Sequence, residues 1–386
     1  MTGDFRAQAR DWIARNLPAS MATPMPEEEI AWGGRGGQFP NPDTKLWLDR
    51  MVAQGWTAPT WPAAYGGGGL SAEDAAILDE ELKRAGARPA LFSFGLWMLG
   101  PVLLEYADEA QKARFLPPIA RGEIRWCQGY SEPGAGSDLA SLRLKAQDCG
   151  DYWRLDGQKI WTTYADKADW IFCLVRTDFE APKHKGISFL LVNLASEGVT
   201  TRPIRLISGS SPFCETFFDN VRVPKDHLVG PLNGGWTIAK KLLQYERQNV
   251  SAIGFGGDRS VGLPSLAGER LASDPALRQR IARQDMVERA VAILTAQAQV
   301  EVNAGRAGAM SSIIKYASAK VNQDRHELAI EILGMDGMGW SGEGFGERDL
   351  GETRKWLRSK GNSIEGGTSE INLNVIAKNV LGLPDA

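Results

Sequence analysis

The 386-residue chain carries 44 basic and 47 acidic side chains, a net charge of -3, so it has no cationic excess to neutralise phosphates, and nucleic acid is excluded as a main partner. A hydrophobic share of 43% with 24% charged residues is an ordinary globular balance, in a chain long enough for two or three domains. Four scattered cysteines (Cys127, Cys149, Cys173, Cys214) form no CxxC pair and three histidines form no HExxH pattern; no metal site, no disulfide framework and a reduced, cytoplasmic setting are expected.

The N-terminus, MTGDFRAQARDW, lacks a basic-then-apolar leader. No run is apolar and long enough for a bilayer, so no membrane partner is expected. Residues 4–17 put Phe5, Ala9, Trp12, Ile13 and Leu17 on one helical face. Residues 20–43 lose that period and read as a mobile Pro/Gly-rich loop, a candidate lid. TWPAAYGGGGL is a second break; Ser71 then caps a helix over 72–85 with Ala75, Leu78 and Leu82 inward. Helices over 91–106 and 109–117 complete a first, helical domain, 1–122.

Over 123–232 the pattern changes to short runs rich in β-branched and aromatic residues, such as DWIFCLVRTD and GISFLLVNL. Asp156-Gly157 and Asp219-Asn220 read as turns between them. This middle domain is antiparallel β. Helical periodicity returns over 233–386, with helices at 235–254, 274–304, 311–334 and 368–382. The middle two, broken only at Gly305 to Gly308, read as antiparallel neighbours in a bundle. The order α, β, α contains no βαβ repeat, so a dinucleotide-binding Rossmann domain is not expected.

Five stretches stand out. QGYSEPGAGSD (128–138) is a tight, donor-rich turn whose N–H groups, with Ser131 and Ser137, could cradle a pyrophosphate or the edge of a heterocycle; the plainer reading is a connection between blocks. DGQKIWTT (156–163) sets Trp161 and Thr163 two apart on one strand face, a platform and an edge donor for a flat ring, or simply a core Trp and a surface Thr. Glu246-Arg247 in KKLLQYERQNV lies on the first long C-terminal helix, where a solvated charge pair is the plainer reading. IEILGMDG (330–337) ends a helix at Gly334 or Gly337. SIEGGTSEIN (363–372) sets Glu365 before a helix that Thr368 would cap. A serine hydrolase is rejected, because GNSIEG misses the GxSxG spacing and follows no strand.

In order along the whole chain, these stretches resemble the acyl-CoA dehydrogenase family. YSEPGAGSD is similar to the family's TEPGAGSD, DGQKIWTT to NGQKxWIT, AIEILGMDG to AxQxxGGxG, and the tail to its GGTxEI segment. The resemblance implies an N-terminal helical domain, a middle β-barrel-like domain and a C-terminal four-helix bundle. It implies FAD as cofactor and conversion of an acyl-CoA thioester to the trans-2-enoyl-CoA. A carboxylate would take the α-proton while hydride leaves for flavin N5, and electrons would pass to an electron-transferring flavoprotein. The α-C–H is a poor acid, so such a base must be desolvated and the thioester carbonyl polarised.

Carried over by motif, Ser131 falls at a flavin-ring hydroxyl, Ser137 at a flavin-phosphate and substrate contact, Trp161 beside the flavin and Thr163 near N5. Gln128, Tyr130 and Gly136 line the same segment. Gly334, Gly337, Thr368 and Glu370 fall where neighbouring subunits and the last helix hold FAD. Many relatives place the base directly before Gly-Thr, where this chain has Gly366. Others take it from the long helix, where Glu246 stands. Glu246 is thus the first choice of base and Glu365 the second, with Arg247 serving CoA. The family's RxxFG segment is absent from LASDPALRQRIARQD (271–285). Such departures resemble a bacterial branch acting on steroid side-chain or branched acyl groups, some members being hetero-oligomers that share FAD. A homo-oligomer, dimer or tetramer, is expected, with a hetero-oligomer as the alternative. Two other functions are weighed: a flavin oxidase or monooxygenase of the same fold on a non-CoA substrate, and a non-catalytic DNA-associated or structural relative.

Overall fold

The computed structural model describes residues 2–253, 262–303 and 310–384. Contacts divide the chain into two compact units: Met1–Ile204 with Pro212–Leu243, and Arg205–Ser211 with Gln244–Ala386. Each is described by itself.

The first unit opens with α1 (Thr2–Asn16), α2 (Pro42–Ala53), α3 (Ala72–Arg84), α4 (Gly100–Tyr106) and α5 (Glu109–Ala120). Ser71 caps α3 by accepting the Asp74 N–H at 3.0 Å. Helix α2, which periodicity did not reveal, starts at Pro42 with Asn41 accepting the Asp43 N–H. Only Gly100–Tyr106 of the stretch expected as one helix is α; Gly95–Leu99 is a wider π turn. Gly100 lies against Trp61, where a Cβ would fall 2.0 Å from the indole. Helix α5 runs three residues past the expected end, through Pro117 and Pro118, whose carbonyls take the N–H groups of Arg121 and Glu123.

The segment 20–43, expected to be mobile, is tied down. Buried Arg88 donates to the Thr23 and Pro24 carbonyls, the Thr23 hydroxyl and the Glu29 carboxylate, and Phe92 N–H donates to Ala31 O at 2.7 Å.

The sheet has eight strands: β1 (Trp126–Gly129), β2 (Lys145–Asp148), β3 (Tyr152–Thr163), β4 (Trp170–Arg176), β5 (Ile187–Asn193), β6 (Val199–Ile204), β7 (Phe213–Pro224) and β8 (Leu228–Val229). Their order is β6-β7-β3-β2-β4-β5-β8, with β1 beside β4. The sheet is mixed, since β1 and β2 each pair parallel with β4 while the other ladders are antiparallel. Asp156-Gly157 and Asp219-Asn220, read as turns, lie inside the long ladder of β3 and β7, where Asp219-Asn220 form a bulge opposite Asp156 and the Asn220 N–H donates to the Asp156 carboxylate at 2.9 Å. One face carries a core of Cys127, Leu144, Trp153, Ile171, Cys173, Leu190, Cys214, Phe218 and Val221. Cys149, half-buried, sits in the turn after β2.

Helix α6 (Gly235–Ile253) starts in the first unit and continues into the second. The second unit adds α7 (Leu263–Ala267), α8 (Arg270–Ser273), α9 (Pro275–Asn303), α10 (Met310–Leu333), α11 (Glu347–Ser359) and α12 (Ser369–Asn379). Arg280 early in α9 pairs with Glu331 late in α10, so these two run antiparallel; the break expected at Gly305 to Gly308 lies outside the described residues. Leu263, Leu277, Ile281, Leu328 and Ile332 form its core. No described helix is long and apolar enough to cross a membrane.

Candidate active site

In the first unit, β1 delivers the donor-rich segment. Gln128 is half-buried on the strand, and buried Tyr130 sets its ring edge-on to Phe172 at 6.2 Å. Ser131 follows, half-buried. Glu132 and Ala135 then exchange both backbone hydrogen bonds at 3.0 Å, closing a tight turn over Pro133 and Gly134. Gly136 and Ser137 are exposed beyond it, and added Cβ atoms at Gly134 and Gly136 would meet nothing within 4 Å. The turn therefore presents bare backbone to open space, as a site for a phosphate or a heterocycle edge requires. Lys183 holds Asp138 at 2.8 Å and anchors the exit.

Strand β3 delivers the second piece. Between Lys159 and Thr162 its register against β7 slips by one residue, and Ile160-Trp161 form the bulge. Thr162, fully buried, donates to Cys214 O at 2.8 Å. Trp161 is thrown outward, 51% exposed with φ 61°, its ring set edge-on to Phe213 at 6.0 Å. Left-handed backbone costs such a residue about 1–2 kcal/mol, so a broad aromatic face is held out against backbone preference. Thr163 is half-buried beside it. The two pieces meet where the Ile160 N–H donates to Ser131 O at 2.9 Å.

Beneath that junction lies a charge pair that motif reading missed. Lys159, fully buried, donates to Glu132 at 2.7 Å and to Tyr130 O at 3.0 Å. Glu132 also accepts the N–H groups of Arg143 and Leu144, at 2.6 and 2.8 Å. Burial pushes the Lys159 ammonium down from its ordinary value, and the nearby Glu132 opposes this. A lysine inside the apolar run of QKIWTT was the available signal.

The second unit holds the carboxylates. Glu246 is half-buried on α6; Arg247 is on the same helix, but its side chain lies outside the described residues. Glu365 is committed elsewhere: Arg358 donates to both its oxygens, at 2.7 and 3.3 Å, and Asn362 donates at 2.7 Å. Buried Lys315 and Asn322 bind Asn362 in turn, through its main-chain and side-chain oxygens. Gly366 and Gly367 have φ of 63° and 91°, values at which a carboxylate-bearing residue is strained. Thr368 caps α12 by accepting the Ile371 N–H at 3.2 Å, with exposed Glu370 in the first turn. Gly334 is exposed at φ 59°, and buried Gly337 offers its carbonyl to the Thr353 hydroxyl.

The described residues thus form a unit of helices and a mixed β sheet, with an outward tryptophan beside a glycine-serine turn, and a second, helical unit. The chain matches the acyl-CoA dehydrogenase N-terminal, middle and C-terminal domain descriptions over residues 3–123, 127–221 and 233–381, and belongs to that family. It is 37% identical to acyl-CoA dehydrogenase IpdE1 of Mycobacterium tuberculosis over 386 residues, covering 99% of this chain and 97% of that protein. Among solved structures it resembles the Tcur3481-Tcur3483 steroid ACAD (TM-score 0.77, 30% identity, 100% of this chain and 98% of that one). It also resembles the ChsE4-ChsE5 complex from Mycobacterium tuberculosis (TM-score 0.72, 27% identity, 100% and 98%). The chain is thus an acyl-CoA dehydrogenase of the bacterial branch that includes steroid enzymes, and FAD is the family's cofactor. The open backbone at Gly134 and Gly136 and the uncovered indole of Trp161 fit such a planar, phosphate-bearing group.

Proposed function

We propose that the protein oxidises a bulky, steroid-type or branched acyl-CoA to its trans-2-enoyl-CoA, with Glu246 as the base. FAD, when bound, supplies the two-electron acceptor for the β-hydrogen. Trp161 would cover one face of its ring, Ser131 and Thr163 would bond its edge, and Gln128, Tyr130, Gly136 and Ser137 would complete the segment around it. Ser137 also contacts substrate, and Arg247 serves the CoA. Gly334, Gly337, Thr368 and Glu370 would serve FAD where neighbouring subunits and the last helix hold it in the family. An electron-transferring flavoprotein takes the electrons.

The observation that carries this assignment is the strained, outward Trp161 bonded through its neighbour to the Ser131 turn. The choice of base is supported by what surrounds the rival: Arg358 and Asn362 occupy the Glu365 oxygens, and left-handed Gly366 fills the slot before Gly367-Thr368. The similarity to steroid ACADs supports the acyl class.

Anaerobic mixing with a steroid side-chain acyl-CoA tests this. Bleaching of the bound flavin is expected in the wild type and in Glu365→Gln, whereas Glu246→Gln should slow it about 10³-fold, the scale of a lost general base. Equal loss in both variants would reject the assignment of Glu246. Rapid reoxidation by air would favour the oxidase.

A further inference from the structure

We infer that the buried Lys159–Glu132 pair is a positioning device for the flavin, latching the Ser131 turn to the Trp161 bulge so that both halves of the cradle move as one body. The inference rests on the flavin site proposed above and goes beyond it, since neither side chain is among the groups assigned there.

Three observations carry it. Lys159 is the last residue of β3 in regular register before the bulge that throws Trp161 outward. Its ammonium spans the gap to the other segment twice, to the carbonyl of Tyr130 and the carboxylate of Glu132, the residues on either side of Ser131. Glu132 is itself fixed by two backbone N–H groups immediately before β2, so the latch has a rigid footing. A buried pair is a poor device for stability, because desolvation of both ions opposes their attraction. It is directional, however, and an apolar contact of equal volume would not fix the relative position of turn and strand. Holding a cofactor in one pose needs that kind of constraint.

The test separates positioning from mere stability. Lys159→Met leaves a buried carboxylate unpaired and lowers the melting temperature of the FAD-free protein. Lys159→Met/Glu132→Gln removes that charge while keeping an acceptor for a backbone N–H, and should recover most of the melting temperature. Both variants should bind FAD roughly tenfold or more weakly, the scale of a misplaced site. The structured visible band of the bound flavin should broaden toward that of free flavin. An FAD affinity in the double variant within about twofold of wild type, or one that recovers in step with melting temperature, overturns the inference. A measurement on the wild type guards against variants that do not fold. Amide exchange at Ile160, which ties the strand to Ser131, and at Arg143 and Leu144, which hold Glu132, should slow when FAD is added, and unchanged exchange also overturns it. A wild type that takes up no FAD, alone or with a co-expressed relative, overturns the flavin site as well. A wild type that takes it up while both variants match it overturns the latch alone.

Discussion

Trp161 sits where glycine would be relaxed, and the fold keeps it there between a buried threonine and a buried lysine. Trp161→Gly should therefore remove strain of about 1 kcal/mol, offset by a similar entropic cost of glycine in the unfolded chain. Thermal melts should change little while FAD affinity drops roughly tenfold, the loss of one aromatic face. A fall in both would identify Trp161 as a packing residue. The motif residues were legible because their types announce a job: hydroxyls and glycines in a turn, an indole two residues from a threonine. What holds them was not. Glu132 and Lys159 are 27 positions apart, and their meeting depends on strand order, which no local pattern encodes. Glu365 was illegible for a different reason: its partner Arg358, only seven positions away, lies on a helix that periodicity did not find.

At the scale of elements, α1 is clamped to α3 by Glu81, buried and shared among Arg6, Arg10 and Arg84. Its carboxyl is held down from 4.5 to about 2, chiefly by the hydrogen bonds from Arg10 and Arg84. A carboxylate with a depressed folded value stabilises above its unfolded value, and that contribution is lost as pH falls from 4.5 toward 2. Thermal melts of the wild type should thus decline through that window. Glu81→Gln should start lower at neutral pH and show a shallower acid decline; parallel curves would rule the clamp out. Arg88 plays the corresponding part for residues 20–43. Arg88→Ala should expose the chain near Thr23 to limited proteolysis several-fold faster than in the wild type, since four of its hydrogen bonds go; an unchanged rate would mean that other contacts suffice. Helix α3 and the long C-terminal helices were legible from apolar spacing. Helix α11 was not, because ERDLGETRKWLRS is dominated by charge and buries Glu352, Thr353 and Ser359. The Asp-Gly and Asp-Asn pairs carry turn chemistry but lie opposite one another, where the ladder absorbs them through one bulge at Asp219-Asn220.

For the whole molecule, the second unit leaves Met286, Ile293, Met335, Met338, Ile364 and Leu381 exposed. So many large apolar side chains are more than scattered surface residues usually account for, and subunit contacts are the expected use. Light scattering on the purified protein should give a mass that is a multiple of the chain's, with one FAD per chain if the assembly is made of this chain alone. A flavin deficit restored by a co-expressed relative would indicate an assembly of unlike subunits, and a stable monomer would remove the argument.

The thiols of Cys127, Cys173 and Cys214 lie wholly inside the sheet core, on β1, β4 and β7, and burial raises Cys173 to about 12 and Cys214 to about 11. They are inert while the sheet is shut, whereas Cys149 in its turn is reachable. The molecule thus carries its own clock. A thiol reagent should label one position promptly and the other three only when the strands part. The slow phase then times the opening of the very layer that presents Trp161, without any engineered probe.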